Sequence, residues 1–175
     1  LQKTSLVDYP DRLAAVVFFP LCNLHCPWCH NRQLVVGSGF EEGELLDIQT
    51  ILAFLEKRKA VLSGLVISGG EALLRRELSG FIDQVHDMGY LVKIDTNGMC
   101  PAALERILTE CPPDYIALDL KVAPSRYKEL GMDGKFLEES AKLIYQSSTE
   151  HEYRSLVLPD SYFTADDLEA LSCLA

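Results

Sequence analysis

The sequence predicts an α/β protein built on a parallel sheet, and three observations point that way. Five short apolar runs, rich in β-branched and aromatic residues, alternate with stretches of helical periodicity. Polar clusters fall at the ends of the first four runs. The 175-residue length suits one domain, 1–175, able to bury roughly 70% of its unfolded surface.

The elements follow in order. "AAVVFF" (14–19) reads as a buried strand, and "DIQTILAFLEKRKAVL" (47–62) as a helix with Asp47 as N-cap and Ile48, Ile51, Leu52 and Leu55 at helical spacing. "GLVISGG" (64–70) is the second strand. The next helix carries Leu74, Leu78, Phe81, Ile82 and Val85 on one face and stops near Gly89. "YLVKIDTNG" (90–98) is a strand and turn, with a helix from Pro101 carrying Leu104, Ile107 and Leu108. "DYIALDLK" (114–121) and "EYRSLVLP" (152–159) are the last two strands, separated by the helix "FLEESAKLIYQ" (136–146). Thr164 and Asp167 begin a final helix as a capping box. "GSGFEEGE" (37–44) reads as a loop insertion.

Composition narrows the function. A net charge of −10 argues against non-specific nucleic-acid binding, which needs a basic face, and against an anionic membrane surface. No apolar run approaches the ~20 residues that span a bilayer, and the first residues lack the apolar core of a signal peptide. The chain therefore reads as cytoplasmic, where clustered cysteines mean metal binding or catalysis rather than disulfides. Cys100, Cys111 and Cys173, scattered along the chain, read as ordinary buried thiols.

In a parallel α/β sheet all C-terminal strand ends lie on one side, where ligand sites form. "CNLHCPWCHN" (22–31), "SGGE" (68–71), "DTNG" (95–98) and "DLK" (119–121) should therefore converge. Cys22, Cys26 and Cys29 could complete a Cys3His zinc site with His25 or His30. Structural zinc sites usually pair two ligand knuckles, and the lack of a second CxxC favours instead an iron–sulfur cluster with one iron left open. Glu71 and Lys121, taken alone, read as solvated residues, and "DTNG" as an Asx turn with Gly98 at positive φ. Arg154 is a charge inside an apolar strand, costly unless paired; it pairs with an acidic neighbour or faces a ligand.

CxxxCxxC with Trp28 before its last cysteine resembles the cluster loop of the radical S-adenosylmethionine (SAM) superfamily. The longer string "KTSLVDYPDRLAAVVFFPLCNLHCPWCHN", with "SGGEALL", "DTNG" and "YIALDLKVAPSRY", resembles the glycyl-radical enzyme activating enzymes, above all the anaerobic ribonucleoside-triphosphate reductase activating type. The resemblance implies a partial parallel (β/α) barrel, normally of six strands. Five are counted here, and the sixth is expected beyond Ala175 or absent. It implies a [4Fe–4S] cluster on Cys22, Cys26 and Cys29, with SAM on the fourth iron. Trp28, Asn31, Gly69, Gly70, Glu71, Asp95, Thr96, Asp119 and Lys121 would contact SAM, Glu71 receiving its amino group and Lys121 its carboxylate. His30 and Arg154 are further candidate contacts to SAM or substrate, and Asp95 with Asp119 would share a monovalent cation. The implied partners are a glycyl-radical enzyme as protein substrate and reduced flavodoxin or ferredoxin as electron donor. Reductive cleavage of SAM would give a 5′-deoxyadenosyl radical that removes a glycine α-hydrogen, with no side chain acting as acid or base. Where the family usually has Gly, Gly and Pro, this chain has Asp11, Leu21 and Ala72. The rivals are a radical SAM enzyme acting on a small molecule or nucleoside, and a non-catalytic zinc or iron–sulfur module.

Overall fold

The computed structural model describes residues 1–35, 45–159 and 162–174. The predicted loop insertion at 37–44 lies outside them. One six-stranded sheet organises the molecule: β1 (Gln2–Ser5), β2 (Ala14–Phe19), β3 (Gly64–Gly69), β4 (Leu91–Thr96), β5 (Tyr115–Leu120) and β6 (Glu150–Ser155). The helices are α1 (Arg32–Val35), α2 (Ile48–Arg58), α3 (Leu78–Asp87), α4 (Pro101–Glu110), α5 (Lys135–Gln146) and α6 (Ala165–Ser172).

Strand order follows the chain from β1 to β6, and β2 to β6 are parallel. With right-handed crossovers, a one-way order sends every connecting helix to the same face. The result is a partial β/α barrel wall with helices outside. Among the described residues β1 and β6 remain its two edges.

Alternation along the strands assigns the two faces. Ala15, Val17, Leu65, Ile67, Val92, Ile94, Ile116 and Leu118 point outward into the main core, against Leu55, Phe81, Ile82, Leu104, Leu137 and Ile144 of the helices. The inner face carries a smaller apolar cluster of Tyr9, Ala14, Val16 and Val66 near the strand starts. Beyond it the inner face turns charged, with Lys93, Asp95, Asp119, Glu152 and Arg154.

The five parallel strands are those the sequence marks, but the sheet holds a sixth that it does not. β1 pairs antiparallel with β2, and its "QKTS" has no apolar pattern because it is an edge with three of four residues exposed. The expected sixth parallel strand is not found among the described residues. The last strand starts two residues earlier than predicted and ends at Ser155. α2 stops at Arg58 rather than at position 62. Leu74 does not share the α3 face: it lies in a separate 3-10 turn, Ala72–Leu74, and is exposed. The Asp47 N-cap, the Pro101 start and the Thr164–Asp167 capping box all form.

Candidate active site

The loop after β2 and the C-terminal ends of β3, β4 and β5 wall one cavity of ≈ 240 Å³. Cys22, Cys26, Cys29, Trp28, His30 and Asn31 line it from the loop; Gly69, Gly70, Asp95, Thr96, Asp119 and Lys121 line it from the strand ends. Leu24, Ser68 and Asn97, from the same converging segments, complete the wall with Val35 and Leu156, which lie outside them.

Two glycines allow the loop and sheet to meet. A Cβ at Gly70 would stand 1.9 Å from the Leu21 carbonyl oxygen, and Gly69, at φ 114°, would strike the Phe19 backbone. The Gly70 N–H donates to Phe19 O (2.8 Å) and the Glu71 N–H to Leu21 O (2.8 Å), so "SGGE" fastens the entry of the cysteine loop to β3. Leu21 itself sits at φ 74°, its N–H donating to Leu34 O at 2.6 Å. Asp11 sits at φ 56°. Both positions where the family usually has Gly therefore adopt the left-handed backbone with side chains that resist it. Ala72 opens the 3-10 turn and takes no functional group away.

Glu71 is fully buried and stands behind the cavity wall rather than on it. Its Oε1 accepts from Leu73 N–H (3.1 Å) and the Thr96 hydroxyl (3.0 Å), and its Oε2 from Asn97 N–H (2.8 Å). Burial pushes its carboxyl up to about 7, against the pull of these donors. With both oxygens engaged, Glu71 joins "SGGE" to "DTNG". The cavity surface next to it is the Gly69–Gly70 backbone.

Across the cavity the charges are paired. Arg154 Nε donates to Asp119 Oδ1 at 2.9 Å, and its guanidinium lies 3.3 Å from Asp95 Oδ1. Lys121 Nζ donates to the other Asp119 oxygen at 3.0 Å. Burial alone would raise Asp119, but Lys121 and Arg154 outweigh it and hold its carboxyl below the ordinary range. Burial keeps Asp95 raised against Arg154 and Lys93. Of the two readings open for Arg154, the structure shows the ion pair: it bridges the two aspartates expected to share a monovalent cation. Lys93, 2% exposed, closes the network at 3.5 Å from Asp95, 3.2 Å from Glu152 and 2.6 Å from the Asp8 carbonyl oxygen.

Three thiols face one cavity, and an all-thiolate donor set suits an iron–sulfur cluster, for which cysteine sulfur is the usual ligand. Burial raises the Cys22 thiol, and Cys26 to about 11, so these groups need a cationic occupant to hold them as thiolates. Trp28 packs edge-on against Tyr162, ring centroids 5.5 Å apart, and fixes the loop between the last two cysteines. Contrary to expectation, Cys173 is exposed and Cys100 is half-buried beside the site; Cys111 is buried.

Comparison with known proteins agrees with this arrangement. The profile of the Radical SAM superfamily matches residues 16–148. A protein of Methanocaldococcus jannaschii named as a glycyl-radical enzyme activating enzyme is 35% identical over 71% of this chain and 50% of its own length. The pyruvate formate-lyase-activating enzyme of Clostridium pasteurianum is 33% identical over 77% of this chain and 57% of its own. The 7-carboxy-7-deazaguanine synthase of Koribacter versatilis is 33% identical over 79% and 53%. The chain thus spans about half the length of these curated relatives. SuiB of Streptococcus suis, in a crystal structure bound to S-adenosylmethionine, superposes with a TM-score of 0.67 over 91% of this chain and 37% of its own. At 17% identity that likeness shows the fold alone.

Proposed function

This chain belongs to the radical SAM superfamily, and from that premise we propose that it activates a glycyl-radical enzyme, holding a [4Fe–4S] cluster and SAM in the cavity described. The observation that carries the reading is the convergence of three thiols with Gly69, Gly70, Asp95, Thr96, Asp119 and Lys121 around that one cavity. Cys22, Cys26 and Cys29 would ligate the cluster. The mixed rim suits a zwitterion: Lys121 offers a cation to a carboxylate, while the Gly69–Gly70 carbonyls and Asp119 offer acceptors to an ammonium. Trp28, Asn31, His30 and Thr96 would shape the pocket around the rest of SAM. When bound, the cluster and SAM supply one-electron cleavage of SAM and a carbon radical able to take a hydrogen atom. The chain's own residues would bind, orient and neutralise, with no side chain acting as acid or base.

The protein-substrate reading is supported by the two relatives named for glycyl-radical and pyruvate formate-lyase activation. A flavodoxin or ferredoxin would supply the electron. The second reading, a small-molecule substrate, is supported by the likeness to 7-carboxy-7-deazaguanine synthase.

The test mixes the reconstituted, reduced protein with SAM and a candidate glycyl-radical enzyme under anaerobic conditions. A glycyl-type EPR doublet on the partner is the expected result. 5′-Deoxyadenosine production coupled to a small metabolite, with no partner protein, would replace this reading by the second. A colourless protein holding stoichiometric zinc would remove both.

A further inference from the structure

Asn97, between the turn residues Thr96 and Gly98, is 5% exposed and fully engaged. Its Oδ1 accepts from Met99 N–H at 2.9 Å. That donor can be met only by oxygen, so the amide cannot be turned over, and its NH₂ must face the other way. There Nδ2 donates to Asn23 Oδ1 at 2.9 Å and to Cys22 Sγ at 3.5 Å. Asn23 is set by the same logic: with its oxygen occupied by Asn97, its Nδ2 donates to Cys100 Sγ at 3.3 Å. The polarity of the chain Cys100–Asn23–Asn97–Cys22 is thus defined at every link. The Leu24 N–H, 3.4 Å from the Cys22 sulfur, adds a second donor there. Among the described residues, Cys22 alone of the three cysteines accepts from a side-chain amide.

We propose that Asn97 is a positioning residue that donates to the Cys22 thiolate and thereby raises the reduction potential of the bound cluster, with Asn23 holding its amide in place. The inference rests on the cluster reading of the three cysteines. A thiolate that shares its charge with N–H donors gives less of it to iron, so an added electron is better tolerated. In a buried site the donors act at low dielectric, where this pull is strongest. Cys22 would thus hold its share of the cluster with two N–H donors on its sulfur, from Asn97 and Leu24.

The experiment is an EPR-monitored redox titration of anaerobically reconstituted wild type, Asn97→Ala, Asn97→Asp, Asn23→Ala and, as a control, Cys111→Ala. Asn97→Ala should be about tenfold harder to reduce at a fixed reductant, which is 59 mV for one electron. Asn97→Asp, which puts an anion beside the sulfur, should shift further the same way. Asn23→Ala should shift less, and Cys111→Ala not at all. Asn97 variants that load a full cluster and titrate with the wild type overturn the inference and leave the cluster reading intact. A wild type that takes up no cluster overturns both. If neither Asn97 variant holds a cluster, Asn23→Ala decides: a lowered potential supports the inference and an unmoved one overturns it.

Discussion

The two faces of the sheet are made from the same strands and do opposite work. In β4 and β5, "LVKIDT" and "YIALDL", the outward residues Val92, Ile94, Ile116 and Leu118 are fully buried beneath helices. Of the inward residues, Lys93 pairs with Asp95, and Asp95 and Asp119 both pair with Arg154. The outer face gains its stability from apolar area removed from water. Burial makes each inner charge costly, and the face is tolerable because the charges are matched. One residue of strand separates the part that keeps the fold from the part that serves the ligand.

That division can be broken at either face. The largest stability loss should come from outside: Ile94→Ala should cost about 3 kcal/mol by urea unfolding, while the folded fraction keeps its SAM affinity. An equal loss of affinity would show that the faces are not separable. Next is Glu71, a buried acid lacking the cations that match Asp119. Its folded value of about 7 against 4.5 means that the native state holds a proton the unfolded chain releases. Stability should therefore fall as pH rises through that window and level off above it, by on the order of 3 kcal/mol. Glu71→Gln should flatten the window, read as the difference between the two pH–stability curves.

From inside, Asp119→Asn should cost only about 1 kcal/mol of stability, because Arg154 keeps Asp95. Its SAM affinity, by calorimetry on the loaded protein, should drop about tenfold. A stability loss as large as that of Ile94→Ala would overturn the comparison. The smallest effect belongs to the backbone at the cavity entrance. Leu21→Gly removes left-handed strain of roughly 1–2 kcal/mol and gives back part of it in unfolded-state entropy. A net gain of about 0.5 kcal/mol should appear as a small rise in Tm, and none would show that Leu21 is at ease at φ 74°.

The outer face was legible in the sequence because its rule is local. Val, Ile and Leu at alternate positions, flanked by helical periodicity, name the strands and their covered side without reference to anything distant. The cysteines, Gly69, Gly70, Asp95, Asp119 and Lys121 were legible as a converging set, since parallel strands bring their ends together. What escaped is non-local. A lysine in a strand reads as exposed, and nothing near Lys93 announces that Asp8 lies 85 positions before it or that Glu152 comes from β6. Nothing in the sequence announces the burial of Glu71, because its donors Thr96 and Asn97 become neighbours only when β3 and β4 pair. β1 carries no pattern because an exposed edge needs none.

The in-order strand sequence also governs how the site comes into being during synthesis. Every strand pairs with the one made just before it, so each can dock as it emerges and no partner need be awaited. The cysteines, however, lie on the first crossover, and Arg154, one of the two cations that balance Asp119, arrives only with β6. Until β3, β4 and β5 have docked, the nascent chain presents three thiols without a complete wall around them. Metal delivered then would meet a floppy chelator open to any soft ion; delivered after β6 has paired, it would meet a shaped pocket. Order of assembly, written in the topology, thus sets the moment at which loading can be selective.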